Sequence, residues 1–156
     1  MRAISHLIIL LLLMLTSCAK DQQTFEVIEQ QEIDLQMIDA YEEGLKSLDE
    51  GDGLLAAKKF SEAELLFPQS IWAPRAALMS AYTYYSFEYY NDAIYELERF
   101  FKTYPNHPRS DYAYYLLAIT YYDTIVDETK DLDAILQSKK YLELLINQYP
   151  DTDYAI

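Results

Sequence analysis

The chain has 156 residues, 51% of them hydrophobic and 15% aromatic, which is enough apolar material for a core and too much for a disordered segment. Asp and Glu number 26 against 12 Lys and Arg, and a net charge of −14 excludes nucleic acid and electrostatic attachment to anionic lipid, both of which need a basic footprint. One Cys excludes an internal disulfide framework, and three Gly without β-branched alternation argue against a sheet.

Residues 1–17 read as a signal peptide: a short, mildly basic start, then an apolar run over residues 7–15. That run is shorter than the ~20 residues a spanning helix needs. Leu15-Thr16-Ser17-Cys18 closes it and resembles a bacterial lipoprotein signal, in which cleavage leaves the Cys as an acylated N-terminus. Cys18 is therefore the expected lipidation site, and its covalent acyl lipid is the only non-protein group expected; no cofactor and no metal are called for. At ~0.8 kcal/mol per buried CH₂, several acyl chains hold a protein on a membrane. Within the lipoprotein resemblance, Ala19 in place of Asp implies the outer membrane. The alternative is an ordinary signal peptide with an incidental Cys. Residues 18–37, rich in Gln and acids, read as a polar, lipid-anchored tether that turns helical ahead of Asp39.

From there the chain repeats. Gly44, Ala81 and Ala118 stand 37 residues apart, as do Ala56 and Ala93, and Pro68 and Pro105. A period of that length marks stacked helical repeats. Three helix pairs are expected, over residues 38–68, 69–105 and 106–150, with residues 151–156 opening a fourth. The first pair joins helices 39–49 and 54–67 through a turn at 50–53, which lacks the ligand alternation of a calcium loop. In the second pair a polar turn around residues 88–91 separates the helices, with Asn91 as the expected N-cap. The second helices share a register before their prolines: Ala56, Phe60 and Ala63; Ala93, Leu97 and Phe100; Ser138, Leu142 and Leu145. Pro105 to Pro150 is eight residues longer than the period, and the excess falls in the charged turn 127–133, a solvated loop or a partner contact. Without a polar capping helix after Pro150, the expectation is a piece of a longer chain whose C-terminal part is missing.

No catalytic constellation is present. His6 lies in the signal, His107 stands alone in Pro105-Asn106-His107-Pro108, and there is no phosphate-cradling Gly loop or paired His, so an enzyme is not expected. Binding is the better class. Ile38, Tyr41, Leu45 and Leu48 share one face of the first helix of their pair; Arg75, Leu78, Tyr82 and Tyr85 follow in the second, and Tyr112, Tyr115, Ile119 and Tyr122 in the third. The opposing stripes, Ala77, Ala81, Tyr84 and Tyr114, Ala118, Tyr121, suit contact with the partner helix. The candidate peptide-groove residues are Tyr41, Arg75, Leu78, Tyr82, Tyr85, Tyr112, Tyr115 and Tyr122. Any one tyrosine reads as packing; as a set, 16 Tyr exceed what an apolar core requires. Arg75 suits a bidentate carboxylate.

The repeat register resembles tetratricopeptide repeats, which implies an all-α, right-handed α-solenoid of about three complete helix pairs. More specifically, Trp72-Ala73-Pro74-Arg75-Ala76, Ser80-Ala81-Tyr82, Asp92-Ala93-Ile94, Tyr104-Pro105-Asn106-His107-Pro108 and Asp111-Tyr112-Ala113-Tyr114-Tyr115-Leu116, together with the lipobox, resemble the BamD (ComL, YfiO) family over roughly residues 15–156. That resemblance implies a periplasm-facing scaffold of the outer-membrane β-barrel assembly (Bam) complex, acting with the BamA barrel and other subunits on unfolded outer-membrane proteins. Contacts with BamA and BamC would fall mostly to C-terminal repeats beyond this chain, leaving the N-terminal groove to read C-terminal segments of clients. A different periplasmic repeat scaffold, serving the cell wall or division, is the alternative.

Overall fold

Residues 22–126 and 131–155 are described in the computed structural model, and among them are six helices and no strand. These are α1 Gln22–Asp49, α2 Gly53–Leu66, α3 Ala73–Ser86, α4 Tyr90–Thr103, α5 Ser110–Asp123 and α6 Leu132–Gln148. The chain divides into two units, 1–35 and 36–156; the packing below concerns the second. Cys18 and residues 127–130 of the long turn lie outside the described residues. No described helix is long and apolar enough to cross a membrane.

Helix α1 corrects one expectation. Residues 22–37, read as a tether turning helical only ahead of Asp39, are helical from Gln22, because the stretch holds no Gly or Pro before Gly44 and is rich in Gln and Glu, both good helix formers. A helix advances 1.5 Å per residue, so this stretch reaches less than half as far as an extended tether.

The turns show why the period holds twice and then fails. Helix α1 ends on Gly51 at φ +81°, with the Asp52 N–H donating to the Ser47 carbonyl (2.9 Å) and the Gly51 N–H to that of Leu48 (3.1 Å), the Schellman pairing. Asp52 then caps α2, its carboxylate accepting the Leu55 N–H at 3.0 Å. Thirty-seven residues on, Glu88 takes the place of Gly51 at φ +64°, with Tyr89 N–H on the Tyr84 carbonyl (2.9 Å) and Glu88 N–H on that of Tyr85 (3.0 Å). Because this turn closes at Tyr89, α4 starts at Tyr90 and Asn91 lies inside its first turn; Tyr89 holds the N-cap position without a side-chain bond, which corrects the expectation for Asn91. The next equivalent position is Ile125, whose branched side chain is barred from the left-handed region. There α5 ends with Thr124 N–H on the Thr120 carbonyl (3.3 Å), and the eight additional residues carry the chain to α6.

Small residues set how closely the helices approach. A Cβ on Gly44 would stand 2.8 Å from the Phe60 ring, so this position cannot be enlarged without displacing Phe60, which also meets Tyr41 edge-on at 5.1 Å. Between α2 and α3, Ala56, Ala57, Ala76 and Ala77 are buried, and Ser80 Oγ donates to the Ala57 carbonyl at 3.1 Å. Ala81, Leu97, Phe100, Ala113, Leu116 and Leu117 form the core shared by α3, α4 and α5. Of the opposing stripe, Ala77, Ala81 and Ala118 are buried and Tyr121 stacks on Tyr141 of the partner helix α6 at 5.8 Å, whereas Tyr114 lies between Phe101 of the preceding pair (4.2 Å) and Tyr141 (6.3 Å), and Tyr84 meets Tyr89 in the turn at 6.4 Å. In the second-helix register, eight of the nine positions are buried and only Leu142 is exposed, at 38%.

Candidate functional site

The first helices of the three pairs bring Tyr41 of α1, Arg75, Leu78 and Tyr82 of α3 and Tyr112 of α5 around one open groove of about 460 Å³. Met79, Arg109 and Tyr154 complete its lining. A volume in this range holds a few side chains of an extended segment, not a folded partner. The other three candidates stand elsewhere. Tyr85 donates its hydroxyl to Asp123 Oδ2 at 2.9 Å, a bond between α3 and α5, and its ring lies 6.1 Å from Tyr90. Tyr115 is not among the lining residues and stacks on one of them, Tyr154, at 5.3 Å. Tyr122, 65% exposed, borders a separate apolar groove of about 800 Å³ with Ile125, Ile135, Leu142 and Ile146.

Two of the three lining residues absent from the sequence reading, Arg109 and Tyr154, had signals. Arg109 continues the Tyr112 stripe one step backward, three residues before it. Tyr154 falls where the opening of the fourth repeat parallels Tyr112. Its ring sits 5.5 Å from Tyr112, so the short segment after Pro150 closes one end of the groove.

The electrostatics of the groove oppose those of the whole chain. Two of the four Arg, Arg75 and Arg109, line it, and among the described residues neither has a carboxylate partner. Arg75 rests on the Trp72 ring, 4.6 Å from its centroid, which holds the guanidinium in place without neutralising it. Burial pushes the Tyr41 phenol above its ordinary value, with Arg75 opposing; burial likewise raises Tyr112, helped by Tyr82 and Tyr154. Both hydroxyls are therefore protonated at neutral pH and available as donors. Beside the groove, His107 is held below its ordinary value by burial and by the Arg109 and Arg75 charges. The arrangement brings together two cations without a carboxylate partner among the described residues, neutral hydroxyl donors and aromatic faces. No cluster of three or more metal-ligating side chains occurs among the described residues.

Helix hairpins stacked at a fixed period, with a groove along the first helices, define a tetratricopeptide-type repeat protein. The chain belongs to the YfiO family of outer membrane lipoproteins, whose family model matches residues 33–156. Among its relatives, a protein of Caulobacter vibrioides is 38% identical over 115 residues, covering 74% of this chain and 38% of the relative. One from Rickettsia prowazekii is 34% identical over 116 residues, covering 74% of this chain and 46% of the relative. One from Neisseria meningitidis serogroup A is 28% identical over 153 residues, covering 92% and 57%. Each of these relatives is named outer membrane protein assembly factor BamD. The chain spans between about two fifths and three fifths of their lengths.

Proposed function

We propose that this chain is a non-enzymatic scaffold of the outer-membrane protein assembly machinery, anchored by acyl chains on Cys18 with its repeats facing the periplasm. Its groove takes the C-terminal segment of an unfolded outer-membrane protein. Family membership and the names of the relatives support the machinery, with the BamA barrel and other complex subunits as the partners this reading requires. The observation that carries the client is the pairing of Arg75 with Arg109 among tyrosines, in a chain of net charge −14. A terminal carboxylate gains charge-assisted hydrogen bonds there, and an aromatic side chain gains tyrosine faces.

A labelled peptide ending in Phe, compared as free acid and as amide, tests this. The acid is expected to bind roughly tenfold tighter, the worth of one charge-assisted hydrogen bond, and Arg75→Ala is expected to remove most of that difference. Equal binding of acid, amide and scrambled peptides would remove the client from the reading.

A further inference from the structure

Glu64 of α2 is 2% exposed and lies outside the groove lining. Its carboxylate accepts three hydrogen bonds, two from the Arg99 guanidinium of α4 (Nη1 to Oε1, 2.7 Å; Nη2 to Oε2, 2.5 Å) and one from the Tyr104 hydroxyl to Oε1 at 2.7 Å. The bidentate guanidinium, shared with Glu96, pairs Glu64 and joins α2 to α4. The Tyr104 bond adds something else: it fixes the residue where α4 ends and the turn to α5 begins.

From Tyr104 the turn is held at each step. The Tyr104 carbonyl accepts the His107 N–H at 3.3 Å, and His107 Nδ1 accepts the Arg109 N–H at 3.2 Å. The Phe100 ring packs against both Tyr104 (5.4 Å) and His107 (5.6 Å). Asn106 is left-handed at φ +62°, and Pro105 and Pro108 each fix their own φ. Little freedom is left between the Tyr104 hydroxyl and Arg109, the residue that enters the groove.

We propose that Glu64 is a positioning residue for the groove: through Tyr104 and the α4–α5 turn it holds Arg109 where, with Arg75, it receives the carboxylate of an incoming chain end. The inference rests on the reading of the groove given above, and it assigns to the first repeat a hold on a cation supplied by the third. A guanidinium held in place contributes more to affinity than one that must be ordered on binding.

Tyr104→Phe keeps the ring and removes only the hydroxyl; Glu64→Gln keeps the volume and removes the charge. Two readouts apply to both in the full chain. The first needs no ligand: NMR titration of His107, which faces Phe100, Arg75 and Arg109 and is one of two histidines in the sequence. Release of the turn is expected to move its midpoint upward, toward the ordinary value of about 6.5. The second is the acid-over-amide affinity ratio of the Phe-ended peptide, expected to fall roughly fivefold. Leu145→Ala, a cavity in α6, controls for stability: it should lower the melting temperature and leave both readouts unmoved. A folded Tyr104→Phe with an unchanged His107 midpoint and an unchanged ratio overturns the proposal. If the unsubstituted protein shows no acid preference, the client reading fails, while the His107 midpoint still decides whether Tyr104 positions the turn.

Discussion

Replacing Arg99 with Met is expected to destabilise the fold by about 3–5 kcal/mol, the range for removing one partner of a buried ion pair. The side chain of Glu64 is 3% exposed and that of Glu96 14%, and Arg99 bonds both, reaching Glu96 Oε2 through Nε at 2.9 Å and Nη2 at 2.6 Å. Without the guanidinium, two carboxylates face each other and Glu64 keeps only the Tyr104 hydroxyl. Met restores most of the aliphatic volume, so the loss comes from charge and not from a cavity. The double variant Arg99→Met, Glu64→Leu should recover part of the stability, because both members of the buried pair are then gone. Urea unfolding of both variants checks this. A loss below about 1 kcal/mol for Arg99→Met would place the pair with solvent-screened surface bridges.

Raising the pH above 10 is expected to unfold the protein cooperatively. Nine tyrosines have phenols raised by burial as the first cause: Tyr41, Tyr84, Tyr85, Tyr90, Tyr104, Tyr112, Tyr114, Tyr121 and Tyr141. Tyr85 is pushed up to about 12, and Tyr104 and Tyr121 are raised further by carboxylates that accept their hydroxyls, Glu64 and Glu98. The fold favours the neutral phenol, so the native state binds more protons than the unfolded one above the ordinary tyrosine value of about 10. Each contribution is fully present below that value and is lost as the pH rises through the native one. Lys59, raised by its hydrogen bonds to Glu43 and Glu62, acts in the same direction. Urea midpoints should fall steadily from about pH 10, and the tyrosinate absorbance of these nine should appear together with loss of helix signal. Tyrosinate formation by the full set of 16 with the helix intact would show that these rings are not held as described.

How much of this was legible in the sequence depends on what periodicity can carry. The 37-residue spacing of Gly44, Ala81 and Ala118 gave the helix pairs, because close approach needs a small residue once per repeat. Arg75, Leu78 and Tyr82 line one groove because spacing of three and four keeps them on one face of α3, and Tyr41 and Tyr112 join them from α1 and α5 because each stands one 37-residue period from that face, at Leu78 and Arg75. Tyr85 departed from that groove because its hydroxyl reaches Asp123 across α3 and α5, a pairing that no single helix pattern reveals. Residues 22–37 were misread for a different cause: a polar composition says nothing against a helix when Gly and Pro are absent. The clamp of Glu64, Arg99 and Tyr104 was not legible at all. Periodicity assigns charged residues to solvent, whereas Glu64 is buried by partners 35 and 40 residues away.

Photo-crosslinking from native membranes tests most directly whether the groove receives client chain ends. The full-length protein would carry a photo-reactive residue at Tyr82 or Tyr112, which line the groove, or at Tyr95, 66% exposed on α4 and outside it. Unfolded β-barrel proteins are expected to crosslink at Tyr82 and Tyr112 and not at Tyr95. Crosslinks of equal strength at Tyr95, or none at the groove positions while BamA still co-purifies, would contradict that expectation.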